Sequence, residues 1–187
     1  TWTANMSKVS PPEIAKADEP PYVRIGFVPD WPRFGGPGDF KRMAEKRAWD
    51  AAMWCTKCKV SFNGKVMAAP SLEDFAKQHM GDVPLASFHS ENLNVVVGHS
   101  TSGAFQQVSF VNGIATTKGG SHVDRVVKAL TEAIAADKRF MGLKPAHIKS
   151  SLFVFVRAVI VNPTFSSQTK AECTSKITEA VQFKPKF

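Results

Sequence analysis

The chain has 187 residues, 43% of them hydrophobic and 21% charged, which at about 150 residues per domain means one domain or one and part of another. That composition excludes collagen-like, low-complexity and wholly disordered chains, and no run approaches the roughly 18–20 apolar residues that span a bilayer. Twenty-four Lys and Arg against 16 Asp and Glu leave a net charge of +8, which favours a polyanionic partner without naming one.

The first twenty residues, through Pro11-Pro12 and Pro20-Pro21, read as an irregular stretch, and the polar opening Thr1-Trp2-Thr3 lacks the apolar core of a secretory signal. Tyr22 to Val28 alternates with Val23, Ile25 and Phe27 on one face, which predicts a strand. After the breakers around Gly35-Gly36, Asp39 is placed to cap a helix running to about Trp54. The apolar spacing puts Phe40, Met43, Ala44, Ala48 and Ala51 on its buried face. Cys58, Val60 and Phe62 alternate into an Asn63-Gly64 turn, a hairpin signal. Ser71 with Asp74 three residues later predicts a capped helix burying Leu72, Phe75 and Ala76.

Strands are expected at Leu85–His89, Asn94–His99 and Phe105–Ile114, the last two joined through Ser102-Gly103. Ser121 then caps the most regular helix of the chain, with Val123, Val126, Val127, Leu130 and Ile134 on one face. A basic loop (Asp137-Lys138-Arg139), a short helix from Pro145 and a long strand Leu152–Val161 follow, the strand ending at Asn162-Pro163. Strands in runs with helices between them give an α+β fold class.

Three cysteines do not make a disulfide framework and point to a reducing compartment. Cys55 and Cys58 form a C-x-x-C without a second pair, and the five histidines show no ligand spacing, so no metal site is expected. Two segments invite a chemical reading. The first, residues 110–124 (FVNGIATTKGGSHVD), places a glycine-rich turn before a helix. Its N–H groups could cradle an anion, or the turn could simply need two flexible residues. It is neither a P-loop nor a dinucleotide fingerprint. The second, residues 162–172 (NPTFSSQTKAE), puts Lys170 beyond the end of a buried strand among hydroxyl and amide groups, within reach of a phosphate.

Together these two strings resemble the transducer domain of eukaryotic type IIA DNA topoisomerases. The resemblance extends, in order, to Trp2–Met6, to Phe27-Val28-Pro29-Asp30, to Arg47-Ala48-Trp49-Asp50 and to the Val60–Lys65 hairpin. Gly103–Gln107 and the terminal Lys184-Pro185-Lys186-Phe187 complete it. It implies that residues 1–65 are the C-terminal part of a GHKL (Bergerat) ATPase sandwich. Residues 66–187 would then be a transducer resembling the second domain of ribosomal protein S5.

It further implies that Gln168, Thr169 and Lys170 reach the γ-phosphate of ATP, with Lys170 stabilising charge on the transferred phosphoryl group. Lys138 and Arg139 would remain from a longer basic loop that touches DNA. By the same resemblance the whole protein would be an ATP- and Mg2+-dependent, homodimeric enzyme passing one DNA duplex through a break in another. It would work in the nucleus or a DNA-containing organelle, away from membranes.

The family's catalytic glutamate, metal-binding asparagine and ATP lid correspond to positions before Trp2, and its DNA-cleaving tyrosine to a position far downstream. The chain's one tyrosine is Tyr22. This piece alone is therefore expected to bind no nucleotide and neither to hydrolyse ATP nor to cleave DNA. Ser166 stands where animal members commonly have Asp, and Gly113 where they have a small serine. Two other readings are compatible with the residues: a different GHKL ATPase of the mismatch-repair or Hsp90-like kind, and a stand-alone basic nucleic-acid-binding module.

Overall fold

A computed structural model describes residues 1–16, 18–68 and 71–176. The Lys184–Phe187 string lies outside the described residues. The chain divides into two compact units, Thr1–Ala44 and Glu45–Phe187.

In the first unit, strands β1 (Trp2–Thr3) and β2 (Lys8–Val9) form a small antiparallel hairpin. Three successive non-glycine residues with positive φ, Ala4, Asn5 and Met6, turn the chain between them. The irregular reading of the first twenty residues is thus corrected at their start. Helix α1 (Trp31–Phe34) follows, with Pro32 in its first turn and Trp31 edge-on to Phe40, 5.4 Å between centroids. The strand expected at Tyr22–Val28 is not formed, and Val23 and Ile25 are 90% and 85% exposed. Alternation supplies one face for a strand, but a strand also needs a neighbour for its backbone groups, and none of the described strands pairs with this one.

Helix α2 (Phe40–Trp54) begins one residue after Asp39, whose carbonyl accepts from the Met43 amide at 2.9 Å. Its buried residues are Asp50, Ala52 and Met53, not the predicted face: Phe40 and Met43 remain exposed. The Asp50 carboxylate tolerates burial because Lys46 Nζ lies at 2.8 Å and Arg47 Nη1 at 3.3 Å. The predicted hairpin is present but short, with β3 (Ser61–Phe62) and β4 (Lys65–Val66) joined through Asn63 and Gly64 at positive φ. Helix α3 (Leu72–Met80) carries the predicted capping box, Ser71 Oγ accepting from the Asp74 amide at 3.0 Å, and buries Leu72, Phe75 and Ala76.

The second unit is organised by one five-stranded sheet in the order β5-β6-β10-β7-β8. Strands β5 (Leu85–His89) and β6 (Leu93–His99) are an antiparallel hairpin, and β7 (Gln106–Val111) turns through Asn112-Gly113 into β8 (Ile114–Ala115). The predicted Phe105–Ile114 strand is therefore two strands and a second Asn-Gly turn. Nor are β6 and β7 a hairpin across Ser102-Gly103. After β9 (Gly119–Gly120), α4 (Ser121–Ala136), a single 3-10 turn (Lys138–Phe140) and α5 (Pro145–Ser150), strand β10 (Leu152–Ala158) inserts between them. It runs antiparallel to β6 and parallel to β7. The last described strand, β11 (Glu172–Cys173), pairs in parallel with β9.

Successive residues of the central strands face opposite layers, so two cores form. Val95, Val111, Val154 and Val156 pack with Val123, Val126, Val127 and Leu130 of α4. Val96, Phe110 and Phe155 pack with Leu72, Phe75 and Ala76 of α3 and Met53 of α2. With both faces covered, β10 reads as a near-continuous apolar run instead of an alternating one. It ends at Ala158 and not at the predicted Val161, which is 87% exposed. Its one interior charge, Arg157, donates to the Trp54 carbonyl at 3.0 Å and lies over the Trp54 ring, fastening the end of α2 to the sheet.

Candidate functional site

The two segments singled out in the sequence meet. Residues 164–174 fold back on themselves: Thr174 N donates to Thr164 O at 2.9 Å and Ser166 N to Glu172 O at 3.1 Å. Phe165 and Cys173 form an antiparallel bridge. At the tip, Lys170 N donates to Ser167 O at 3.0 Å, closing a turn that holds Gln168 and Thr169. The returning arm, β11, lies against β9 just before α4, and Lys118 N donates to Ala171 O at 2.9 Å.

Gln168, Thr169 and Lys170 are all exposed. Ser167 Oγ and Thr169 Oγ1 share a hydrogen bond of 2.8 Å. The Lys170 ammonium sits 5.7 Å from the centroid of the Phe165 ring, a contact that orders the long side chain while leaving its donors in solvent. Lys170 adopts φ +55°, a left-handed conformation costing a residue with a Cβ roughly 1–2 kcal/mol. An ammonium, a carboxamide and a hydroxyl on one turn are a donor set suited to phosphate oxygens. Phe165, five residues before Lys170, was not recognised from the sequence; an aromatic closely preceding an exposed lysine was the available signal.

The anion-cradle reading of the glycine turn is corrected. Lys118 N is taken by Ala171 O, and Gly119 N donates to Thr116 O at 2.8 Å. These amides serve the fold and are not free for a ligand. The Ser121 cap is corrected as well: Gly120 holds the N-cap position, and Ser121 Oγ instead donates to Ser175 O at 2.6 Å. Beneath the turn lies a buried chain that the sequence did not disclose. Ser109 Oγ and Thr116 Oγ1 are 2.6 Å apart, and Thr116 Oγ1 is 3.2 Å from His122 Nε2. Burial lowers the His122 pKa from 6.5 to about 4, so its ring is neutral at pH 7.

Lys138 and Arg139 are not part of this assembly. They follow the far end of α4, a 16-residue helix, and so lie roughly 24 Å along its axis from the Ser121 end. Arg139 is committed to its own loop, its Nε and Nη2 reaching the Asp137 carboxylate at 3.1 and 2.6 Å. The hydrogen bonds from Arg139 hold the Asp137 pKa down at about 2. Among the described residues Lys138 has no ion-pair partner, unlike Arg139.

Cys55 is half-buried and Cys58 exposed, both as free thiols. Among the described residues no three His, Cys, Asp or Glu side chains converge on a point that could hold a metal. Among the same residues no helix is long and apolar enough to cross a membrane.

Comparison with known proteins identifies the lineage of this arrangement. The family model for DNA gyrase B matches residues 62–184. DNA topoisomerase 2 of Penicillium chrysogenum is 36% identical over 94% of this chain, and DNA topoisomerase 2-beta of Mus musculus 37% identical over 93%. The chain spans 12% of the length of each. Among solved structures, the ATPase region of Saccharomyces cerevisiae topoisomerase II superposes with a TM-score of 0.82 at 28% identity, covering 94% of this chain and 48% of that one. The ATPase and transducer domains of topoisomerase II from Balamuthia mandrillaris superpose with a TM-score of 0.63 over 76% of this chain and 40% of that one. The α+β fold is accordingly that of the GHKL ATPase and transducer regions of type IIA topoisomerases, and the chain belongs to the DNA gyrase B family.

Proposed function

We propose that this chain works as part of an ATP-dependent type II DNA topoisomerase, in which the Gln168–Lys170 turn reads the γ-phosphate of ATP and reports it to the DNA gate. In this reading residues 1–65 complete an ATPase domain and residues 66–187 are the transducer. The whole enzyme is a homodimer acting on duplex DNA in the nucleus or a DNA-containing organelle, with Mg2+ accompanying the nucleotide. The observation that carries the reading is Lys170. It is an exposed ammonium on a backbone-strained turn, backed by one aromatic ring and tied through β11 to the start of α4. Strain kept at an exposed lysine is a cost that a solvated loop could avoid, and such strain concentrates at functional positions.

An ammonium held near the transferred phosphoryl group stabilises the charge on its oxygens. When phosphate leaves, that attraction is lost and the turn is released. Because β11 is paired beside the first turn of α4, displacement of the turn is passed to a rigid helix that packs against β6, β7 and β10. The bound nucleotide supplies the phosphoryl group; this chain's residues orient it and sense it. The basic surface, including Lys138, would contact the transported duplex through phosphates, without reading sequence.

Three measurements test this. An antibody against this segment should detect a polypeptide several-fold longer than 187 residues; a band of the segment's own size would favour the stand-alone nucleic-acid-binding reading. In the full-length protein, Lys170→Gly removes the ammonium and relieves the left-handed strain. ATP turnover should fall by about 10²-fold without loss of thermal stability, and unchanged turnover would remove Lys170 from the mechanism. For the DNA-facing surface, neutralising roughly four phosphates gives a slope of about −3.6 in log K against log salt, and a slope near zero would discard it.

A further inference from the structure

The contact between the glycine turn and the Lys170 arm is made by bare backbone. Gly120 has φ +123°, a conformation L side chains rarely adopt, and a Cβ built on it would lie 2.1 Å from the Cys173 carbonyl oxygen and 2.7 Å from its nitrogen. The two segments thus approach more closely than a side chain at position 120 would permit. Hydrogen bonds flank the contact on both sides, Lys118 N to Ala171 O at 2.9 Å and Ser121 Oγ to Ser175 O at 2.6 Å. The turn is itself anchored from below: Gly119 N donates to Thr116 O, and Thr116 Oγ1 lies between Ser109 Oγ and His122 Nε2. Only Ala171 and Glu172 separate Lys170 from Cys173.

We propose that Gly120 is a positioning residue for Lys170: by letting the 118–121 backbone lie directly on the 171–173 backbone, it sets where the Lys170 ammonium is held. The proposal rests on the role assigned to Lys170 above. Any side chain at position 120 has to push Cys173 outward, and the shift reaches Lys170 through two residues of extended chain. A displacement of about 1 Å at a group that must meet a phosphoryl oxygen is enough to cost on the order of 10²-fold in rate.

The test uses the full-length protein with Gly120→Ala and the milder Ser121→Ala, which removes the flanking hydrogen bond without adding volume. Two readouts are taken. By hydrogen exchange, peptides covering 164–175 should exchange at least about tenfold faster in Gly120→Ala, and to a smaller extent in Ser121→Ala, than in the parent; unchanged exchange overturns the proposal. In ATP turnover, Gly120→Ala should lower kcat with KM little changed. The Gly120→Ala/Lys170→Ala double variant should be no slower than Lys170→Ala alone, since the two act through one group. Losses that multiply instead would show Gly120 acting independently of Lys170 and overturn the proposal. If Gly120→Ala does not fold, Ser121→Ala carries both readouts by the same criteria. If Lys170→Ala turns over normally, the functional reading fails by itself, and the exchange data still decide whether Gly120 holds the loop.

Discussion

Residues 22–28 and β10 (Leu152–Ala158) are both apolar, strand-length segments, and they meet opposite fates. In β10, Val154, Phe155 and Val156 are fully buried, with β6 on one side and β7 on the other. In the earlier segment Val23, Ile25 and Val28 are among the most exposed large apolar residues described. The difference is neither hydrophobicity nor β-propensity, since both runs are built largely of β-branched and aromatic residues. It is the presence of neighbours that accept the ladder hydrogen bonds and close over both faces. A strand-like sequence is a demand for a partner, and a segment of this kind left in solvent is a surface on which another strand could add.

The sharpest way to break the comparison is to remove side chains from each segment. Phe155→Ala, deleting a ring stacked on Phe153 and edge-on to Phe75, should destabilise the chain by about 3–5 kcal/mol in urea unfolding. Ile25→Thr at an 85% exposed position should stay within about 0.5 kcal/mol of the parent; a larger loss would show that the segment is packed in solution.

Acid gives the next largest effect. His122 has its pKa lowered to about 4 in the fold, against 6.5 ordinarily. The unfolded chain therefore takes up a proton before the native one does, and native stability falls as pH drops through that window. The His122 contribution should be intact above pH 6.5 and decline by about 3 kcal/mol by pH 4. His122→Gln should flatten that part of the stability profile; an equally steep profile would place the titration elsewhere. A smaller loss than that of Phe155→Ala or of acid is expected at α3, where Ser71→Ala removes one half of the capping box and should cost about 1 kcal/mol. A change near zero would mean that burial of Leu72 and Phe75 alone holds the helix end.

Local chemistry was legible because its causes are local. The Ser71–Asp74 capping box, the Asn63-Gly64 turn and the apolar stripe of α4 each involve residues within a few positions of one another, and each is present as read. The Gln168–Lys170 turn was also visible as a string. Its functional reading came from resemblance and not from spacing. What failed depended on distant partners. The face of α2 was chosen by apolar spacing, but packing against the sheet selected Ala52 and Met53 and drew in Asp50 with its two cations. Ser121 looked like a cap until Ser175, 54 residues away, took its hydroxyl.

The order of the sheet shows the same division. Nothing between β6 and β7 announces that a strand beginning at Leu152 will separate them. Sequence alone determined the helices with strong periodicity, the tight turns, the basic character and, through two motifs, the family. Tertiary structure decided which strands are neighbours, which faces are inside, and that the glycine turn and the lysine loop touch. The physical reason is one of range: capping, turn formation and periodicity are settled within about one helical turn, whereas burial and backbone pairing are settled by whatever chain arrives from elsewhere. At Gly120 that arrival is Cys173, and a missing side chain is what lets it come close.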